Sequence, residues 1–127
     1  MKLRIRGNSI RLRLTKSEVA QFGETGKVEE IVEFGGAEPG LGYQLYTTTD
    51  NETMRAKFEN NCLYIAVPLR DAENWINSGQ VGIETEQPLG DDKSLRILVE
   101  KDFACLEPQQ GEDDMDPFPP PLEGKIC

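Results

Sequence analysis

The sequence predicts an α+β domain made of two ββαββ repeats. Their eight strands form a mostly antiparallel sheet, open to curling or closing into a barrel, with two short helices. Three observations predict it. Apolar and charged residues alternate at the N-terminus, a helix-start signal follows directly, and the same succession of features recurs 53 positions later.

Leu3 and Ile5 alternate with Lys2, Arg4 and Arg6, and Ile10, Leu12 and Leu14 alternate with Arg11 and Arg13. A period of two marks strands with one apolar face. Gly7-Asn8 between them reads as a hairpin turn, because both residue types tolerate positive φ. Thr15-Lys16-Ser17-Glu18 has capping-box spacing: the threonine oxygen caps an early amide and the glutamate reaches back. Val19 and Phe22 then share a helical face, with Gly23 and Gly26 as stops. Strands are expected over about 27–34 and 43–49, separated by a glycine- and proline-rich loop, and Asp50-Asn51-Glu52 turns the chain.

In the second half, Ala56 and Phe58 take the places of Leu3 and Ile5, and Asn60-Asn61 that of Gly7-Asn8. Leu63, Ile65 and Val67 match Ile10, Leu12 and Leu14. Pro68 matches Thr15 at the helix start, Ala72 and Trp75 match Val19 and Phe22, and Gly79 and Val81 match Gly26 and Val28. All eight of these apolar positions are apolar in both halves, which reads as an internal duplication over about 2–49 and 55–102. Strands at about 81–86 and 95–101 complete the second copy.

The chain has 127 residues, 23 acidic and 14 basic, for a net charge of −9. That length fits one domain, placed at 1–106. From Glu107 onward the composition turns acidic and proline-rich, so 107–127 reads as an extended or disordered tail. A polyanion argues against nucleic acid or anionic membrane as partner. Cys62, Cys105 and Cys127 have neither disulfide-framework nor zinc-site spacing. With no signal-peptide pattern and no apolar run of membrane length, the expected location is cytoplasmic.

The opening Lys2-Leu3-Arg4-Ile5-Arg6-Gly7-Asn8-Ser9-Ile10-Arg11-Leu12-Arg13-Leu14-Thr15-Lys16-Ser17-Glu18-Val19 resembles the start of a small family of uncharacterised bacterial proteins, a domain of unknown function. Glu100-Lys101-Asp102-Phe103-Ala104-Cys105-Leu106, with the acidic run and Phe118-Pro119 after it, is similar to that family's end. The resemblance implies a bacterial cytosolic protein. It brings with it no activity, ligand or catalytic residue.

Arg4, Arg6, Arg11 and Arg13, with Lys2, share the charged side of the first hairpin. Guanidinium forks suit carboxylate or phosphate, so these arginines are candidates for an anion or partner site. Their structural alternative is a cross-strand ladder with Glu29 and Glu33 or with Glu84 and Glu86. A third possibility is that the acidic tail folds over them. Glu84-Thr85-Glu86 places two carboxylates on one strand face, a candidate metal pair if a closed barrel turned its charges inward. There they would serve metal-dependent phosphate or nucleotide chemistry. The Glu-x-Glu-x-Lys motif of triphosphate tunnel enzymes is absent, since Pro88 stands where the lysine would fall.

Cys105 lacks a histidine base, because the chain contains no histidine, and reads as a small buried hydrophobe. Glu112-Asp113-Asp114-Met115-Asp116 resembles half a calcium loop in composition only. Phe22 and Trp75 read as core. The expectation is a binding or interaction domain without catalytic residues or cofactor. It would be a monomer or homodimer that takes an anionic ligand or a protein partner.

Overall fold

The computed structural model describes residues 1–50 and 52–103. The elements are β1 (Lys2–Arg6), β2 (Ser9–Leu14), α1 (Lys16–Thr25), β3 (Lys27–Val32), β4 (Leu41–Thr48), β5 (Arg55–Glu59), β6 (Cys62–Pro68), α2 (Leu69–Ile76), β7 (Gly82–Gly90) and β8 (Lys93–Lys101). Cys105, Cys127 and the 107–127 tail lie outside the described residues.

The local signals act as their chemistry dictates. Gly7 turns the first hairpin with φ +56°, while Asn60 and Asn61 both take positive φ in the second. Positive φ at both central residues is the I′ pattern, which matches the strands' own twist. Asp91 and Asp92 repeat it between β7 and β8. The Thr15–Glu18 capping box forms in full: Thr15 N–H donates to Glu18 Oε1 at 2.9 Å, and Glu18 N–H donates to Thr15 Oγ1 at 3.3 Å. Gly26 ends α1 in the left-handed region, its N–H donating to the Phe22 carbonyl. Gly23 does not stop the helix. It lies within α1, where a β-carbon would stand 3.6 Å from Ile76 of α2. Pro68 occupies the position before α2 and caps it with no side-chain bond.

The strands form two four-stranded sheets, ordered β1-β2-β8-β7 and β3-β4-β6-β5. No barrel closes. Each sheet is mixed: two antiparallel pairs flank a parallel centre, β2 against β8 in one and β4 against β6 in the other. The apolar faces stack on each other instead of lining a tube. Leu12, Leu14, Ile97 and Val99 from one sheet and Leu45, Ile65 and Val67 from the other are fully buried between them. Phe22 and Trp75 close one end of this core edge-to-face, centroids 6.1 Å apart, and the Trp75 indole N–H donates to the Val81 carbonyl at 2.9 Å. Such aromatic pairs and fully buried rings are among the strongest packing units of a small core.

Polar side chains bridge the sheets on both flanks. On one, the Gln87 amide of β7 accepts from Ala56 N–H of β5 at 2.7 Å and donates to Ala56 carbonyl at 3.1 Å. On the other, the Met1 ammonium pairs with Glu18 and Glu30, and the Tyr43 hydroxyl donates to the Met1 carbonyl at 3.1 Å.

The halves carry the same element order, and their pairings correspond. Leu12 lies beside Val99 as Ile65 lies beside Leu45. Val99 in turn faces Ile83 as Leu45 faces Val28. The counterpart of Val28 is therefore Ile83 and not Val81. Val28 is 4% exposed and Val81 50%. A shift of 53 aligns the hairpins and helices but fails after α2, because two extra residues precede β7. Ile5 and Phe58, expected in the core, are 64% and 63% exposed. Both lie near the hairpin turns, beyond the reach of the facing sheet.

Candidate functional site

The alternation that buries Leu12, Leu14, Ile97 and Val99 turns every second residue of β1, β2, β8 and β7 outward. Strand register sets these residues in rows. Arg6, Ser9, Arg96 and Glu86 form one row, Arg4, Arg11, Leu98 and Glu84 the next, and Lys2, Arg13, Glu100 and Gly82 the last. The face is therefore graded, basic on β1 and β2 and acidic on β7. Arg4 stands directly opposite Arg11, and Lys2 opposite Arg13. Like charges so placed cost stability.

Glu100 of β8 moderates this cost. It accepts from Arg13 Nε at 2.8 Å and lies 3.4 Å from an Arg11 nitrogen, with only 15% of its side chain exposed. Lys2 pairs with Asp102 at 3.2 Å. Arg96 takes both Glu84, at 3.3 Å, and Glu86, at 3.7 Å. Towards the turn end, Arg4, Arg6, Arg11 and Arg96 rim a shallow concavity of about 210 Å³, with Ser9 and Leu98 in its lining.

The four arginines singled out from the sequence thus share one face, as their spacing requires. Glu84 and Glu86 share that face too, but at its far edge, where they hold Arg96. With no barrel there is no lumen, so the charged-tunnel geometry behind their metal reading does not exist. Among the described residues no three His, Cys, Asp or Glu side chains converge as metal ligands would. Glu29 lies on the other sheet, 3.9 Å from Lys27, and is no neighbour of the arginines. Sequence reasoning missed Arg96, Leu98 and Glu100. Their alternation with Ile97 and Val99 marks them as outward-facing. Nothing local shows that β8 adjoins β2, because that pairing joins residues 87 positions apart.

A second surface lies at the end opposite the helices. An apolar groove of about 250 Å³ runs beneath the first hairpin turn. Its walls come from both halves in corresponding pairs: Ile5 and Phe58, Ile10 and Leu63, Leu41 and Leu95. No helix among the described residues is long and apolar enough to cross a membrane.

Fold and face together define a two-sheet α+β domain with a graded, arginine-bearing outer surface. The chain belongs to a family of unknown function (DUF7009), whose model matches residues 1–122. No curated protein and no solved structure is detectably similar to it.

Proposed function

We propose that the protein is a non-catalytic binding module of the bacterial cytoplasm, and that its working surface is the arginine face of the β1-β2-β8-β7 sheet. The ligand is anionic, presenting phosphate or clustered carboxylate groups. One observation carries this reading: in a chain of net charge −9, Arg4, Arg6, Arg11 and Arg96 gather round one concavity. Two like-charged cross-strand pairs are kept beside it despite their cost. Guanidinium groups hold such anions bidentately and retain their charge at any physiological pH. The unmatched cysteine spacing suits a reducing compartment. The corresponding registers of the halves favour descent from one duplicated unit, in which the second copy gave its hairpin no matching arginines.

Inorganic triphosphate is the first probe. At 100 times its dissociation constant it adds about 2.7 kcal/mol, which raises Tm by roughly 11–22 °C for about 100 ordered residues. The shift is expected without divalent metal and is lost in Arg4→Gln/Arg11→Gln. If triphosphate, pyrophosphate and an acidic peptide all leave Tm unchanged, the anion-site reading is wrong.

A further inference from the structure

We infer that the graded face takes a second molecule of this chain, laid face to face, with the carboxylates of the partner's β7 as the anion; this rests on the anion-site reading. The charge gradient carries the inference. The sheet order β1-β2-β8-β7 sets Lys2, Arg4 and Arg6 at one edge and Glu84 and Glu86 at the other. A surface basic at one edge and acidic at the other complements itself under a two-fold rotation that exchanges the edges. The axis of that rotation runs along the strands, over the β2–β8 pair. It puts β1 above the partner's β7 and β2 above the partner's β8.

A two-fold has no translation along its axis, so each row of the sheet meets the same row of the partner. Strand register then fixes the pairings. Arg6 faces the partner's Glu86, Arg4 the partner's Glu84, and Arg13 the partner's Glu100, each pair made twice. Arg11 lies over the partner's Leu98, where its methylene stem covers an apolar side chain. The other two-fold in this plane has its axis across the strands. It sets Arg4 on the partner's Arg4 and Glu84 on the partner's Glu84, and like charges exclude it. Stacked sheets lie about 10 Å apart, a gap that an arginine and a glutamate bridge end to end. The ~30° angle of aligned sheets moves the outer strands by about 4 Å against rows about 7 Å apart, so the rows still meet. Beside Arg96, Glu84 and Glu86 stay 54% and 61% exposed, and each carboxylate keeps lone pairs for a second cation. Four strands and three rows cover about 400 Å² on each partner, about half of what a stable interface buries. The association is therefore reversible and salt-dependent, and an external anion on Arg4 and Arg6 competes with it.

Sedimentation velocity on the full chain, over a hundredfold range of concentration, tests this. The natural chain is expected to dimerise, with a dissociation constant that rises at least tenfold between about 0.05 and 0.5 M salt. Glu84→Lys/Glu86→Lys and Arg4→Glu/Arg6→Glu are each expected to be monomeric. Their equimolar mixture is expected to dimerise, because each variant supplies the charge the other lacks, and a variant that merely misfolds gives no such rescue. Inorganic triphosphate is expected to dissociate the natural dimer and still to raise the Tm of Glu84→Lys/Glu86→Lys. A natural chain that is monomeric at every concentration, or a dimer that both variants retain, would overturn the face-to-face pairing; the triphosphate shift in Tm then decides the anion site on its own. A dimer lost in both variants and restored by mixing, with no triphosphate response in any of them, would keep the pairing and remove the small external anion.

Discussion

The paired hydrogen bonds from Gln87 to Ala56 are where β7 of one sheet holds β5 of the other, and Gln87→Met isolates them. Methionine keeps nearly the same length and volume while removing both the donor and the acceptor. The amide makes bonds of 2.7 and 3.1 Å, and Gln87 is 9% exposed. A typical intramolecular bond contributes about 1 kcal/mol net. Losing two therefore costs about 2 kcal/mol, or roughly 8–16 °C in Tm for about 100 ordered residues. Because β5 is an edge strand and Ala56 is only half-buried, water can reach part of its peptide, which keeps the cost from rising further. Urea unfolding followed by tryptophan fluorescence measures it, and the slope with denaturant stays constant if the native fold is unchanged. A second variant checks the direction of the bonds. Gln87→Glu keeps an acceptor for Ala56 N–H but sets a carboxylate against the Ala56 carbonyl. It is expected to destabilise more than Gln87→Met at pH 7, and its deficit relative to the natural sequence should shrink below about pH 4, when the carboxyl can donate again. A loss under 0.5 kcal/mol for Gln87→Met, or no pH dependence for Gln87→Glu, would show that the amide does not hold the sheets together.

Two other predictions concern the helix end of the core and the Met1 cluster. Trp75→Phe removes the bond to Val81 and leaves a void beside Phe22. It should cost about 2–3 kcal/mol by calorimetry, and Trp75→Ala about 3–5 kcal/mol. Burial alone would lower the Met1 ammonium pKa, but hydrogen bonds and charge from Glu18 and Glu30 outweigh it and raise it above 8.0. Burial likewise would raise the Glu18 pKa, but the ammonium and the Thr15 amide outweigh it and lower it below 4.5. The raised group stabilises fully below its unfolded pKa and loses that contribution as pH climbs through its folded value. The lowered group stabilises above its unfolded pKa and loses that contribution as pH falls through its folded value. Stability should hold between about pH 5 and 8 and decline on both sides. Glu18→Gln, which keeps the capping geometry, should weaken both declines in urea titrations.

What could be read from the residues was whatever depends on near neighbours. The first hairpin, the Thr15–Glu18 cap, the Gly26 stop and the Phe22 and Trp75 core positions all follow from patterns a few residues long. The arginine face was legible for the same reason, since a period of two places Arg4, Arg6, Arg11 and Arg13 together wherever the strand goes. The parallel centres were not legible. Pairing Ser9 with Arg96 or Gly42 with Cys62 leaves no trace in local alternation, so the eight expected strands form two mixed sheets where one mostly antiparallel sheet was expected. Ile5 and Phe58 misled because alternation shows which face a side chain takes, not whether the opposing sheet extends far enough to cover it. Gly23 misled because a glycine can serve close helix packing as well as termination. Within the site, Glu100 escaped notice because the carboxylate that pairs with Arg13 comes from the last strand.

The parallel pairs have a kinetic consequence. Each sheet draws two strands from either half, so neither half can complete a sheet alone. As the chain leaves the ribosome, the outward arginines and the inward Leu12 and Leu14 of β2 wait for a neighbour that comes last, at residues 93–101. Closing loops of such separation makes folding slow and leaves β2's hydrogen-bonding edge open meanwhile. The hairpin's row of positive charges faces outward throughout that interval, and it discourages a second nascent chain from pairing there.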